Sequence, residues 1–139
     1  LIASIIVACA GPGKVGTPSG LPEVRISADR EEVKNRVLDN LHNMGFAIES
    51  ESASTIVAKQ HCTTDKCLSW PPFGFRDRPV RTKVTLFSLG KDTKAVMSLF
   101  CVGEQSSGCL GLGGSRELEI PMNRQEDMDA MQRFLNSLK

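Results

Sequence analysis

The chain has 139 residues, a formal net charge of +1 and 5% aromatic residues, with one Trp and no Tyr. A near-neutral balance excludes the broad basic field that nucleic-acid binding needs, and so few rings exclude a platform for stacking bases or sugars. The length suits one domain, and no stretch beyond the first ten residues is long and apolar enough to span a bilayer.

Leu1 to Ala8 is uncharged and almost wholly apolar. It is too short to cross a bilayer, which takes about 20 residues, but it has the size of the apolar core of a secretory leader. It ends on the small residue Ala8, followed at once by the thiol of Cys9. Ile6-Val7-Ala8-Cys9 resembles the lipobox of bacterial lipoproteins: an aliphatic residue three before the cysteine, a tolerant position, then a small residue. The resemblance covers these four residues and the apolar run. It implies that Cys9 becomes the lipidated first residue of the mature chain, and that a basic segment is expected ahead of Leu1. Ala10 stands where an aspartate would signal inner-membrane retention, so the family pattern implies an outer-membrane address on the periplasmic face. Taken without Cys9, Ile5-Ile6-Val7 also reads as a buried strand.

Gly11 to Gly20 holds four glycines and two prolines in ten residues. Such a run cannot bury a core and is expected to act as a linker. The domain reading is therefore a leader remnant at 1–8, a lipid-anchored linker at 9–22, and a single α+β domain at 23–139. A flexible leash of about 13 residues spans roughly 20 Å.

Val24-Arg25-Ile26-Ser27-Ala28 alternates apolar and polar residues and predicts a short strand. Ser27 or Asp29 can cap the helix that follows, with Glu31 and Glu32 in its positive first turn. Val33, Val37, Leu41 and Met44 repeat at helical spacing, and Gly45 supplies the stop. Phe46–Glu51 and Thr55–Gln60 predict two strands around the turn Ser52-Ala53-Ser54. Residues 61–79 form an irregular excursion with three prolines, Trp70 and Phe73-Gly74-Phe75. Val80–Leu89 predicts a strand, Gly90 to Thr93 a turn, and Lys94–Val102 the returning strand. A Gly/Ser-rich loop is expected over Gly103–Ser115, then a short edge strand at Arg116–Ile120. The last helix begins at Asn123 or Glu126, with Met128, Met131, Phe134, Leu135 and Leu138 on its buried side. The order β-α-β-β-β-β-α predicts an antiparallel sheet of four to five strands with two helices packed on one face.

The chain has five cysteines. If Cys9 takes lipid, Cys62, Cys67, Cys101 and Cys109 remain, an even number that reads as two disulfides in an oxidising compartment. Three pairings are open; Cys62–Cys67 and Cys101–Cys109 are favoured because each closes a short polar loop, with a loop-to-loop pairing as the rival. Zinc at His61, Cys62 and Cys67 is disfavoured by the spacing, and no Cys-x-x-Cys marks a redox dithiol. Gly111-Leu112-Gly113-Gly114-Ser115 lacks the strand, helix and lysine of a phosphate loop. His42 and His61 have no evident nucleophile and orienting group, and Asp65 and Asp77 merely share the excursion, so no catalytic residue, metal or cofactor is assigned.

Arg76, Arg78, Arg81 and Lys83 form the basic cluster of the sequence, beside Trp70, Phe73 and Phe75. Exposed aromatics in a Pro-rich loop mark contact surfaces, although the same rings could fold under the sheet. The reading is a non-catalytic binding or scaffolding module of the bacterial cell envelope. It would be held to the membrane by lipid at Cys9 and would meet an envelope protein through Trp70, Phe73, Phe75, Arg76, Arg78 and Arg81. A carrier with an apolar cleft between sheet and helices is the alternative, and a hydrolase the more distant one.

Overall fold

A computed structural model describes residues 16–60, 62–63, 66–67, 80–106, 115–122 and 124–139, with the backbone alone at 62–63, 66–67, 103–106 and 115–118. The elements in chain order are β1 (Glu23–Ile26), α1 (Arg30–Asn43), β2 (Phe46–Glu51), β3 (Thr55–Gln60), β4 (Cys62–Thr63), β5 (Lys66–Cys67), β6 (Val80–Leu89), β7 (Asp92–Ser106), β8 (Ser115–Pro121) and α2 (Gln125–Asn136). The α+β order expected from the pattern is the order found.

Six strands form one antiparallel sheet in the order β1-β7-β6-β3-β2, with β8 also on β7, and β4 and β5 form a separate two-stranded ladder. The long β7 organises it. One side of β7 pairs with β6 from Leu89↔Asp92 to Val80↔Cys101. The other side is shared: β1 pairs over Glu23↔Val96 to Ile26↔Thr93, and β8 over Phe100↔Pro121 to Ser106↔Ser115. The two short strands thus lie end to end along one edge. Between them the Met97 N–H donates to the Pro22 carbonyl at 3.0 Å and the Met122 N–H to the Leu99 carbonyl at 2.9 Å.

Strand alternation decides which face is covered. Ile56 and Ala58 of β3, Val80, Thr82, Val84 and Leu86 of β6, and Ala95, Met97 and Leu99 of β7 are all buried, and the residues between them are not. Period-two alternation sends each set to one side of the pleat. Both helices pack on the buried side. Val33, Val37 and Leu41 of α1 share one core with Met128, Met131, Phe134 and Leu135 of α2. The Asp29 side chain caps α1 by accepting from the Glu32 N–H at 2.8 Å, and Gly45 takes φ +87° after its last turn. That left-handed conformation suits a glycine and ends the helix. Thr93, buried on this side, donates its hydroxyl to the Ala28 carbonyl at 2.9 Å, which ties the β1–α1 connection to β7.

Three details differ from the sequence reading. The β6–β7 connection is tighter than four residues: Leu89 and Asp92 pair directly, and Gly90, at φ +66°, and Lys91 make the turn. The Gly/Ser-rich run is shorter than expected, because β7 continues to Ser106 and β8 begins at Ser115, each giving the other backbone partners that composition does not disclose. Strand β2 carries a bulge between Ile48 and Ser50, where the pairing with β3 shifts by one residue.

Candidate functional site

The side of the sheet opposite the helices is the candidate site. At its β8 end, Val57, Arg81, Lys83, Phe100 and Glu119 line a groove of about 450 Å³. The residues come from four adjacent strands. Lys59 and Phe100 lie directly across from Arg81, and Val57 and Ser98 directly across from Lys83. Val57 and Phe100 form the apolar part of the groove, and the charged side chains bracket it.

Arg81 is the structural hinge of this surface. It sits on the central strand β6, and only 12% of its side chain is exposed. Its guanidinium meets Glu49 through two bonds, Nε to Oε1 at 2.5 Å and Nη2 to Oε2 at 3.1 Å. On the other side Nη1 lies 3.5 Å from Glu119 Oε1. A planar fork gripping one carboxylate with two parallel bonds is a directional contact, unlike a lone lysine pair. Glu49 sits at the β2 bulge, and a bulge re-aims a side chain without moving the ladder beyond it. The Glu49 carboxyl titrates below the ordinary carboxylate range, chiefly because Arg81 donates to it; burial opposes this, and the charges of Arg81 and Lys59 add to it.

Lys83 is exposed and forms no ion pair with any described residue. It is the cation this groove offers to an incoming group. Arg81, singled out in the sequence as a contact residue, does lie at the groove but is held between two glutamates rather than presented freely. The role of Phe100 and Glu119 was missed by sequence reasoning. Their place follows only from β8 pairing with β7, which brings Glu119 opposite Val102, two pairs from Phe100↔Pro121.

Cys62 and Cys67 are register partners across the β4–β5 ladder. Cys101 is half-buried against the helix-covered core and unbridged among the described residues. Cys9, Cys109, His61, Asp65, Trp70, Phe73, Phe75, Arg76, Asp77, Arg78 and residues 111–114 of the glycine-rich run lie outside the described residues. His42 is exposed at the end of α1. Among the described residues no group of three or more His, Cys, Asp or Glu side chains could hold a metal ion, and no helix is long and apolar enough to cross a membrane.

No protein-family model, no curated protein and no solved structure matches the chain.

Proposed function

We propose that this protein is a non-catalytic binding module of a bacterial cell envelope, held to the membrane by lipid on Cys9, which engages an envelope protein through the helix-free face of its sheet. The observation that carries the contact surface is the asymmetry of that sheet. Both helices and the core lie on one side, while the other side carries a groove of about 450 Å³ with apolar Val57 and Phe100 beside Lys83, which forms no ion pair with any described residue. An apolar floor with one available cation favours an extended partner segment that brings an apolar side chain and a carboxylate. The lipobox-like Ile6-Val7-Ala8-Cys9 supports the mooring.

The groove volume also falls within the range for small ligands, roughly 300–1,000 Å³, so a carrier role would use this face rather than the space under the helices. One experiment separates the two. A photo-crosslinking residue is placed at position 98, directly across from Lys83 at the groove, and, as control, at position 133 on exposed α2. The protein reading expects a discrete crosslinked envelope protein from position 98 alone. Phe100→Ala and Lys83→Glu should each reduce its yield about tenfold, the effect of losing roughly 1.4 kcal/mol. Equal yields from both positions, or no dependence on Phe100 and Lys83, would remove this face as the contact. Mass spectrometry of the mature N-terminus tests the mooring separately: an unmodified Cys9 ends it.

A further inference from the structure

The other end of the same face carries a second surface. The β6–β7 hairpin runs past β3, which stops pairing at Thr55↔Thr85, while β1 follows β7 as far as Ile26↔Thr93, one residue short of the strand's start. The projecting ribbon holds two of the large exposed apolar side chains of the described residues, Phe87 at 45% and Leu89 at 39%. Two residues apart on one strand, they share the helix-free side.

Two lysines stand at the same tip. Lys94 Nζ stands 5.2 Å from the centroid of the Phe87 ring. Lys91 is exposed in the turn. The acid of the turn, Asp92, is engaged by Arg25, Nε to Oδ2 at 2.8 Å. That pairing leaves Lys91 and Lys94 as the net charge of the tip. An apolar wedge ringed by lysines fits the boundary between lipid headgroups and acyl chains: rings and aliphatic groups enter the upper acyl region while ammonium groups stay among phosphates. A protein groove would serve the apolar pair equally well, but would not need lysines beside it.

We propose that the β6–β7 tip is a non-covalent contact with an anionic lipid surface. It uses Phe87 and Leu89 as the wedge and Lys91 and Lys94 as the headgroup ligands. The contact requires neither lipid on Cys9 nor a partner in the groove. It also sets an orientation. Leu89 and Arg81 are eight residues apart on β6, so a tip resting on the membrane lifts the groove roughly 26 Å along the strand. The groove then stands clear of the lipid at the far end of the strand, open to a partner.

The test uses the 139-residue chain with Cys9→Ser, so that no acyl chain contributes, and vesicles of phosphatidylcholine with or without about 30% phosphatidylglycerol. Because Leu1–Ala10 is itself apolar, a local probe is needed: Leu89→Trp in a Trp70→Phe background, with Asp129→Trp on exposed α2 as the control. Emission from position 89 should shift to the blue on anionic vesicles, and emission from position 129 should not. Phe87→Ser with Leu89→Ser should lower the fraction bound to anionic vesicles about tenfold. Lys91→Glu with Lys94→Glu should remove the preference for anionic over neutral vesicles. Unchanged melting temperatures show that these exposed substitutions leave the fold intact. An unshifted position 89, equal shifts at 89 and 129, or unaltered binding by both double variants would overturn the proposal. So would a tip that captures a protein and leaves vesicles untouched.

Discussion

At the scale of single residues, Arg81 shows what a linear reading can and cannot reach. Its neighbours in sequence, Arg76, Arg78 and Lys83, make it look like one of several free cations. Folding instead surrounds it with Glu49 from β2 and Glu119 from β8. Neither partner is near it in sequence, and nothing in composition brings them together. The consequence can be measured. The folded state lowers the Glu49 titration, so the unfolded chain takes up a proton at higher pH than the folded one. The stabilisation is fully present above the ordinary carboxylate range and is lost as pH falls through the depressed folded value. Glu49→Gln should therefore melt lower than the natural protein near pH 7, and the gap should close as pH falls below the ordinary carboxylate range. Over a third of the Glu49 side chain is solvent-exposed, so screening keeps the effect modest. Melting curves that stay parallel for the two proteins across that range would show that the Arg81–Glu49 pair contributes nothing.

At the scale of elements, most of the chain was legible, because each element carries its own local signal. Asp29 and Gly45 mark the ends of α1 through hydrogen bonding and backbone freedom, which act within a few residues. The alternation in β3 and β6 and the spacing of Met128, Met131, Phe134 and Leu135 report which side is buried. Edges were not legible, since they depend on what lies beside them. The outer edge of β1 is closed by a helix side chain: Gln132 Nε2 donates to the Glu23 carbonyl at 2.8 Å, and its Oε1 accepts from the Glu23 N–H at 3.2 Å. One amide thus stands in for a strand partner, and it blocks an edge that would otherwise invite pairing. The β2 edge has the Ile48–Ser50 bulge for the same purpose. The small β4–β5 ladder was read only as a pair of cysteines. Its register sets Cys62 directly across from Cys67. Opposed residues in antiparallel ladders have Cα atoms about 4.5 or 5.5 Å apart, within the range a disulfide bridges. Oxidised protein should yield, on peptide mapping without reductant, a loop closed between these two residues. Closing so short a loop should add about 2 kcal/mol of stability over the Cys62→Ser, Cys67→Ser double variant. A map joining either residue to Cys101 or Cys109 would refute the pairing.

At the scale of the whole molecule, the question is where the folded unit begins. Composition assigned residues 9–22 to a linker, because glycine and proline dilute the apolar content. The last part of that stretch is nevertheless bound to the domain. Pro22 is buried, and its carbonyl takes the Met97 N–H in the gap between β1 and β8. The Thr17 hydroxyl donates to the Leu21 carbonyl at 2.5 Å, and the Gly20 N–H to the Thr17 carbonyl at 3.1 Å. The Ser19 N–H donates to Glu23 Oε1 at 3.1 Å, and hydrogen bonding to Ser19 is the main reason the Glu23 carboxyl titrates low. Proline and glycine here are turn residues serving a sheet edge, a use that composition does not distinguish from a leash. A chain starting at Gly16 should therefore melt at the same temperature as the full chain. One starting at Glu23 loses the Pro22 bond to β7, the burial of the Pro22 ring and the turn that fixes β1, and should be less stable by about 1–3 kcal/mol, a drop of several degrees. Circular dichroism melts of the three chains decide the matter. If the chain starting at Glu23 melts with the other two, the turn at 17–22 is decoration on a domain that starts at β1; if the chain starting at Gly16 already melts low, the fold draws on residues further upstream.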